Sequence, residues 1–135
     1  MSKKKWNGED FLVGKYQLGY MMVDVWAMSG EGGGRFNLCC DDKHPFMYVS
    51  LGYPAYCDAH AVLCHEAMEA VLTDMGLSYK PLCFVENASD VRHFMFNHNQ
   101  FSEVASRVSY FLLKCHDDML AAHKIVQKWK KKQKL

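Results

Sequence analysis

Ala59-His-Ala-Val-Leu-Cys-His-Glu-Ala-Met-Glu-Ala-Val-Leu72 is the stretch of sequence that decides the fold. From Ala61 to Leu72 nearly every residue is apolar, and a helix that is apolar almost all round is buried. The polar exceptions are His65, Glu66 and Glu69. A buried imidazole or carboxylate destabilises the fold unless a partner satisfies it. The stretch therefore predicts a buried helix whose three polar side chains share a partner, and a metal ion is the simplest one.

The spacing of these polar residues suits a metal site. His65 and Glu69 are four residues apart, so on a helix they lie about 40° from each other around the axis, and Glu66 lies beside both. A catalytic zinc usually takes three protein ligands and keeps a fourth position for water. We expect His98 to supply the third ligand, because it stands at the start of a second helix with an apolar stripe; His93 and His60 are the alternatives.

Two histidines and one glutamate are a known ligand set for hydrolytic zinc. With His65, Glu69 and His98 as ligands, Glu66 would be free to act as the general base toward the metal-bound water. The ion would lower the pKa of that water and polarise a carbonyl group. The sequence thus predicts zinc as the cofactor and Glu66 as the catalytic residue.

The order of the predicted elements indicates an α+β fold. Three segments rich in aromatic and β-branched residues predict strands of a small antiparallel sheet, joined by a Gly-rich connection at 29–34 and a turn before Pro45. These strands are expected at Lys15–Ala27, Arg35–Cys40 and Phe46–Leu51.

Two or three helices should follow the strands. Asp58 is a suitable N-cap for the first helix, and Gly76 a suitable stop after it. A short helix is expected from Ser89 or Asp90 to Phe96, and a long one from about Asn97, whose helical pattern continues to Lys134. We expect His116 and His123 at the surface.

The chain has 135 residues and a net charge of +1, which predicts a single domain, 1–135. Its ends are basic, and we expect them to be flexible at about 1–8 and 127–135. All 15 acidic residues lie between Glu9 and Asp118, and apart from the nine lysines at 3–5 and 124–134 the chain has seven basic residues, so its body carries a net charge of −8. Such a body is a poor nucleic-acid surface, and we favour solvated ends over ends that contact nucleic acid. With no apolar run of membrane-spanning length and no signal-peptide pattern, a cytoplasmic protein is expected.

The segment His65-Glu-Ala-Met-Glu-Ala-Val-Leu72 resembles the His-Glu-x-x-His helix of the zincin metallopeptidases. It is more similar to a group of small bacteriophage proteins, which carry a His-Glu-x-x-Glu-Ala-Leu helix followed by a Leu-x-His segment that opens a second helix. Phe96-Asn-His98-Asn-Gln-Phe101 would occupy that second position. The resemblance covers roughly Arg35 to Leu113. It departs from the zincin pattern at Glu69, which replaces the second histidine.

The resemblance implies a zincin-like fold and, for a phage-encoded chain, a place in the host cytoplasm. Two functions are compatible with it. The first is a small zinc-dependent hydrolase of peptidase type that acts on a protein or peptide substrate. The second is a non-catalytic phage or bacterial interaction protein that binds a host protein, with the His and Glu cluster structural.

Overall fold

The computed structural model describes residues 6–38, 45–79 and 93–134. In chain order the elements are β1 (Phe11–Leu18), β2 (Met21–Met28), β3 (Gly34–Asn37), β4 (Phe46–Ser50), α1 (Tyr56–Asp74), β5 (Ser78–Tyr79), β6 (His93–Phe94) and α2 (His98–Gln133). The fold is α+β, as the sequence predicts.

The main sheet has four strands in the order β1-β2-β4-β3 and is mixed. β1 pairs antiparallel with β2, β2 pairs parallel with β4, and β3 pairs antiparallel with β4. The expected three-stranded antiparallel sheet is therefore wrong in two respects, because the sheet has four strands and one of its pairings is parallel. The segment Lys15–Ala27 contains the tight turn of a hairpin, at Gly19 (φ 64°). The Gly-rich connection carries the chain to the sheet edge, and β4 then returns between β2 and β3.

Both helices cover one face of this sheet. α1 contacts β3 and β4, and α2 contacts β1 and α1. The core between them is apolar because alternate residues of β2 and β4 point inward, as the period of two in a strand requires. Its fully buried members include Leu18, Val25, Met47, Leu63 and Phe111.

The first helix begins earlier than the sequence indicates. Its N-cap is Ala55, which makes no side-chain cap, and Asp58 lies in the first turn, where its charge favours the helix N-terminus. Its end is as predicted, since Gly76 follows the C-cap Met75 with φ 72°. The amide of Leu77 then bonds to the Leu72 carbonyl, which closes the last turn.

The second helix is a single element of 36 residues. Asn97 caps it in a capping box with Gln100, close to the start that the sequence predicts. The expected short helix ending at Phe96 is wrong where it can be seen: His93–Phe94 forms β6 and pairs with β5, and the remainder of that prediction lies outside the described residues. Neither helix in the described part of the chain has the length and apolar character needed to cross a membrane.

The C-terminal segment continues α2 as far as Gln133. Gln127 Nε2 donates to the carbonyls of Leu51 (3.0 Å) and Tyr53 (2.9 Å), and Lys130 Nζ donates to Gly52 O at 2.6 Å. The rings of Trp129 and Trp6 meet edge to face at 5.2 Å. Described residues of both basic ends therefore contact the domain, although the sequence predicts flexible ends there.

Candidate metal centre

The two flanks of α1 have different neighbours. His60 and Met68 face α2, where they line a groove between the helices. Glu66 lies on the other flank beside β3, next to Gly34. This division follows from the helical period, because residues 60, 64 and 68 share one side of the axis and residues 62, 66 and 69 share another. The polar group therefore sits between α1 and the edge strand of the sheet.

His65, Glu66 and Glu69 come together as the sequence predicts. His65 Nε2 lies 3.4 Å from Glu69 Oε1 across one turn of α1. One potential ligand atom from each of the three residues lies within 4.8 Å of the others, a separation that a single metal ion can bridge. The His65 side chain is 65% exposed and that of Glu69 is 29% exposed. The expectation of a buried imidazole is therefore wrong: His65 lies at the surface, only Glu66 is buried, and the group opens to solvent on one side.

Glu66 forms the buried floor of the group. Its residue surface is only 6% exposed, and none of the described residues donates a hydrogen bond to its carboxylate. Burial raises the pKa of Glu66, the neighbouring Glu69 charge raises it further, and His65 lowers it. A carboxyl group in this environment resists ionisation unless a positive charge is placed beside it.

Gly34 makes room for the Glu66 side chain. A Cβ at position 34 would lie 2.7 Å from Glu66 Cγ and 2.8 Å from the Tyr48 carbonyl oxygen. The sequence gives no sign of this role, because Gly34 ends a Gly-rich run that indicates only a flexible connection. This role of Gly34 could be predicted only if it were known that β3 passes directly beside α1.

The structure does not bring His98 to this group. His98 is exposed at the first turn of α2. The two helices run antiparallel: the Tyr56 ring packs on His123, while Arg107 Nη1 lies 3.8 Å from Asp74 Oδ2 at the other end of α1. His98 precedes Arg107 by nine residues, so it lies about 13 Å beyond that contact.

The way the helices pack also separates His98 from His65, Glu66 and Glu69. α2 lies against the flank of α1 that carries His60, and the three residues lie on another flank. The two alternatives for the third ligand, His60 and His93, also lie away from this group in the described part of the chain. His60 faces the interhelical groove, and His93 is exposed on β6. Among the described residues, His65, Glu66 and Glu69 are therefore the one group of three or more neighbouring His, Cys, Asp or Glu side chains that could hold a metal ion.

Chemically, this group offers one imidazole nitrogen and two carboxylates, one of them buried. Such a set can bind a divalent cation and leave coordination positions for water on the exposed side. The sequence matches no protein-family model, and comparison with curated proteins and with solved structures also yields no match. The function must therefore be argued from these side chains.

Proposed function

We propose that this protein binds one zinc ion through His65, Glu66 and Glu69. The observation that carries the proposal is the convergence of three ligand atoms within 4.8 Å around a buried carboxyl group. Without a cation, ionised Glu66 would lie against the sheet beside a second carboxylate, with the largely exposed His65 as the neighbour that favours its charge, which is unfavourable. A divalent ion supplies the positive charge that both glutamates lack.

The donor set favours zinc over magnesium or calcium. An imidazole nitrogen suits zinc and other transition metals, whereas magnesium and calcium prefer sites made of oxygen ligands. In this proposal Glu66 takes the third ligand position that the sequence assigns to His98. All three protein ligands then come from one helix, and the exposed side of the ion remains open to water.

A zinc-dependent hydrolase of peptidase type is the second candidate, with Glu66 as general base instead of ligand. It is favoured by the position of β3, which is the last strand of the sheet order and runs beside Glu66. An extended peptide can pair with such an edge, which would place its carbonyl groups near the ion. A bound zinc would supply an activated water and a polarised carbonyl. This second candidate includes the zincin-like fold that the sequence resemblance implies.

Metal content tests the first proposal. Chain purified without chelator, then dialysed against buffer containing trace zinc, should carry about one zinc per molecule by elemental mass spectrometry. The variants His65→Ala and Glu69→Gln should lose most of it. His98→Ala should keep it, and His93→Ala serves as a matched histidine control. Retention of zinc by His65→Ala, or its loss in His98→Ala, would contradict the ligand set.

Glu66→Gln separates the two candidates. If Glu66 is a ligand, the variant should bind zinc at least about tenfold more weakly, because an amide is a poorer ligand than a carboxylate. If Glu66 is the base, the variant should keep its zinc and lose hydrolysis of a denatured protein substrate. A non-catalytic interaction protein with this site would show weaker zinc binding and no hydrolysis by either form.

A further inference from the structure

A groove of about 420 Å³ runs between α1 and α2, on the flank of α1 that faces away from the metal group. α1 contributes His60 and Met68, and α2 contributes residues from Phe101 to His116. Among the described residues that line it, none is Asp, Glu, Lys or Arg. Leu113 and Phe101 on its rim are 77% and 50% exposed. An open apolar surface of this kind is typical of a binding site.

The α2 wall of the groove extends from Phe101 to His116, about 22 Å at the rise of an α-helix, which is close to the length of a single extended alkyl chain of about 16 to 18 carbons.

One end of the groove is polar. His60 and His116 line it there, and the Tyr56 ring packs between them at centroid distances of 5.9 Å from each. His123 lies 5.4 Å from the same ring. The Tyr56 hydroxyl and His60 Nδ1 are buried and have no hydrogen-bond partner among the residues that the structure describes. Imidazole N–H groups at this end can donate hydrogen bonds to an anionic group.

We propose that the groove binds a free long-chain carboxylate, with its alkyl chain along α2 and its carboxylate at His60 and His116. The apolar lining matches the chain, and the histidines at a single end match the one charged group of such a molecule. This orientation leaves no charge of the ligand in the apolar section. The site is separate from the metal group, on the opposite flank of α1, and does not depend on the proposed function.

Fluorescence titration with parinaric acid, an 18-carbon polyene fatty acid, tests the proposal on the full chain. Parinaric acid should bind one molecule per chain, and unlabelled palmitate should displace it. Ser109→Trp, which places a large ring in the groove, should reduce affinity at least about tenfold. Ser106→Trp is the matched control, because Ser106 is exposed on α2 outside the groove lining, and it should bind as the wild type does.

A second set of measurements tests the contact between the carboxylate and the two histidines. The double variant His60→Gln and His116→Gln should weaken parinarate about tenfold, while His93→Gln should not, and the methyl ester should bind wild type about tenfold more weakly than the acid. Circular dichroism verifies that each variant is folded. Equal binding of ester and acid, unchanged binding in Ser109→Trp, or no binding by wild type would each overturn the proposal. Preferential binding of the chain to neutral phosphatidylcholine vesicles would also overturn the proposal. A dimer that palmitate does not dissociate would do the same.

Discussion

The Glu66 side chain lies directly against Gly34, so closely that a Cβ at position 34 would come within 2.7 Å of Glu66 Cγ. This contact joins the edge strand of the sheet to α1. It also explains how a carboxyl group can be buried at the inner side of α1. The absence of a side chain on β3 provides the space that Glu66 fills.

Gly34→Ala should therefore disturb both stability and zinc binding. The new methyl group would meet the Tyr48 backbone oxygen at 2.8 Å as well as Glu66, and backbone cannot move aside as a flexible side chain can. We expect a loss of about 1–3 kcal/mol in the free energy of unfolding, measured by urea denaturation of the zinc-free protein. Gly32→Ala is the control, because no atom of the described residues, its two chain neighbours apart, lies within 4 Å of its Cβ position. Equal stability of the two variants would contradict the packing described.

The stability of the zinc-free protein should fall as the pH rises through the raised pKa of Glu66. Burial, and then the Glu69 charge, lifts this pKa above the ordinary glutamate value of 4.5. Between the unfolded and folded pKa values the native state holds more protons, so the free energy of unfolding decreases with pH. The decrease should begin near pH 4.5 and end above the folded pKa.

Glu66→Gln isolates this contribution, because glutamine does not titrate. The unfolding free energies of wild type and Glu66→Gln are measured by urea denaturation from pH 4 to pH 8. The wild type should lose stability relative to Glu66→Gln as the pH rises. Saturating zinc should reverse the trend for the wild type, since the cation stabilises the ionised carboxylate. A difference that is flat with pH in the zinc-free protein would show that Glu66 is not perturbed.

Local patterns in the sequence predict the helices well. The apolar run that contains His65 forms α1, and its end at Gly76 depends only on a left-handed C-terminal residue. Asn97 and Gln100 start α2 by a capping box that is also local. The pairing of His65 with Glu69 follows from one helical turn. Each of these features is fixed by residues within four positions of one another.

Non-local relationships explain the predictions that the structure does not support. The parallel pairing of β2 with β4 depends on where the chain returns after β3, which no residue pattern encodes. The distance of His98 from the metal group depends on which flank of α1 packs on α2. His123, expected at the surface, is buried because α2 lies along the loop after β4, where His123 Nε2 donates to Tyr53 O at 2.7 Å.

Cys115 should be protected from alkylation in the folded protein. It is fully buried on the inner side of α2, and burial raises the pKa of its thiol to about 12, so almost no thiolate forms near pH 8. Cys57 on α1 is exposed and serves as the internal comparison. Iodoacetamide labelling mapped by mass spectrometry should modify Cys57 rapidly and Cys115 only in denaturant. Comparable rates at the two sites without denaturant would contradict this packing.

The final turns of α2 should contribute to stability even though their sequence is that of a solvated basic end. Gln127 donates to the carbonyls of Leu51 and Tyr53, and Leu51 is fully buried. Gln127→Ala would leave the Leu51 carbonyl without this donor, which should lower the free energy of unfolding by about 1–3 kcal/mol in urea denaturation. Lys128→Ala, at the exposed neighbouring position, should change it by less than about 0.5 kcal/mol. Equal, small effects of both substitutions would mean that residues after 126 behave as a flexible tail, whereas the predicted difference would place the end of the domain at or beyond Gln127.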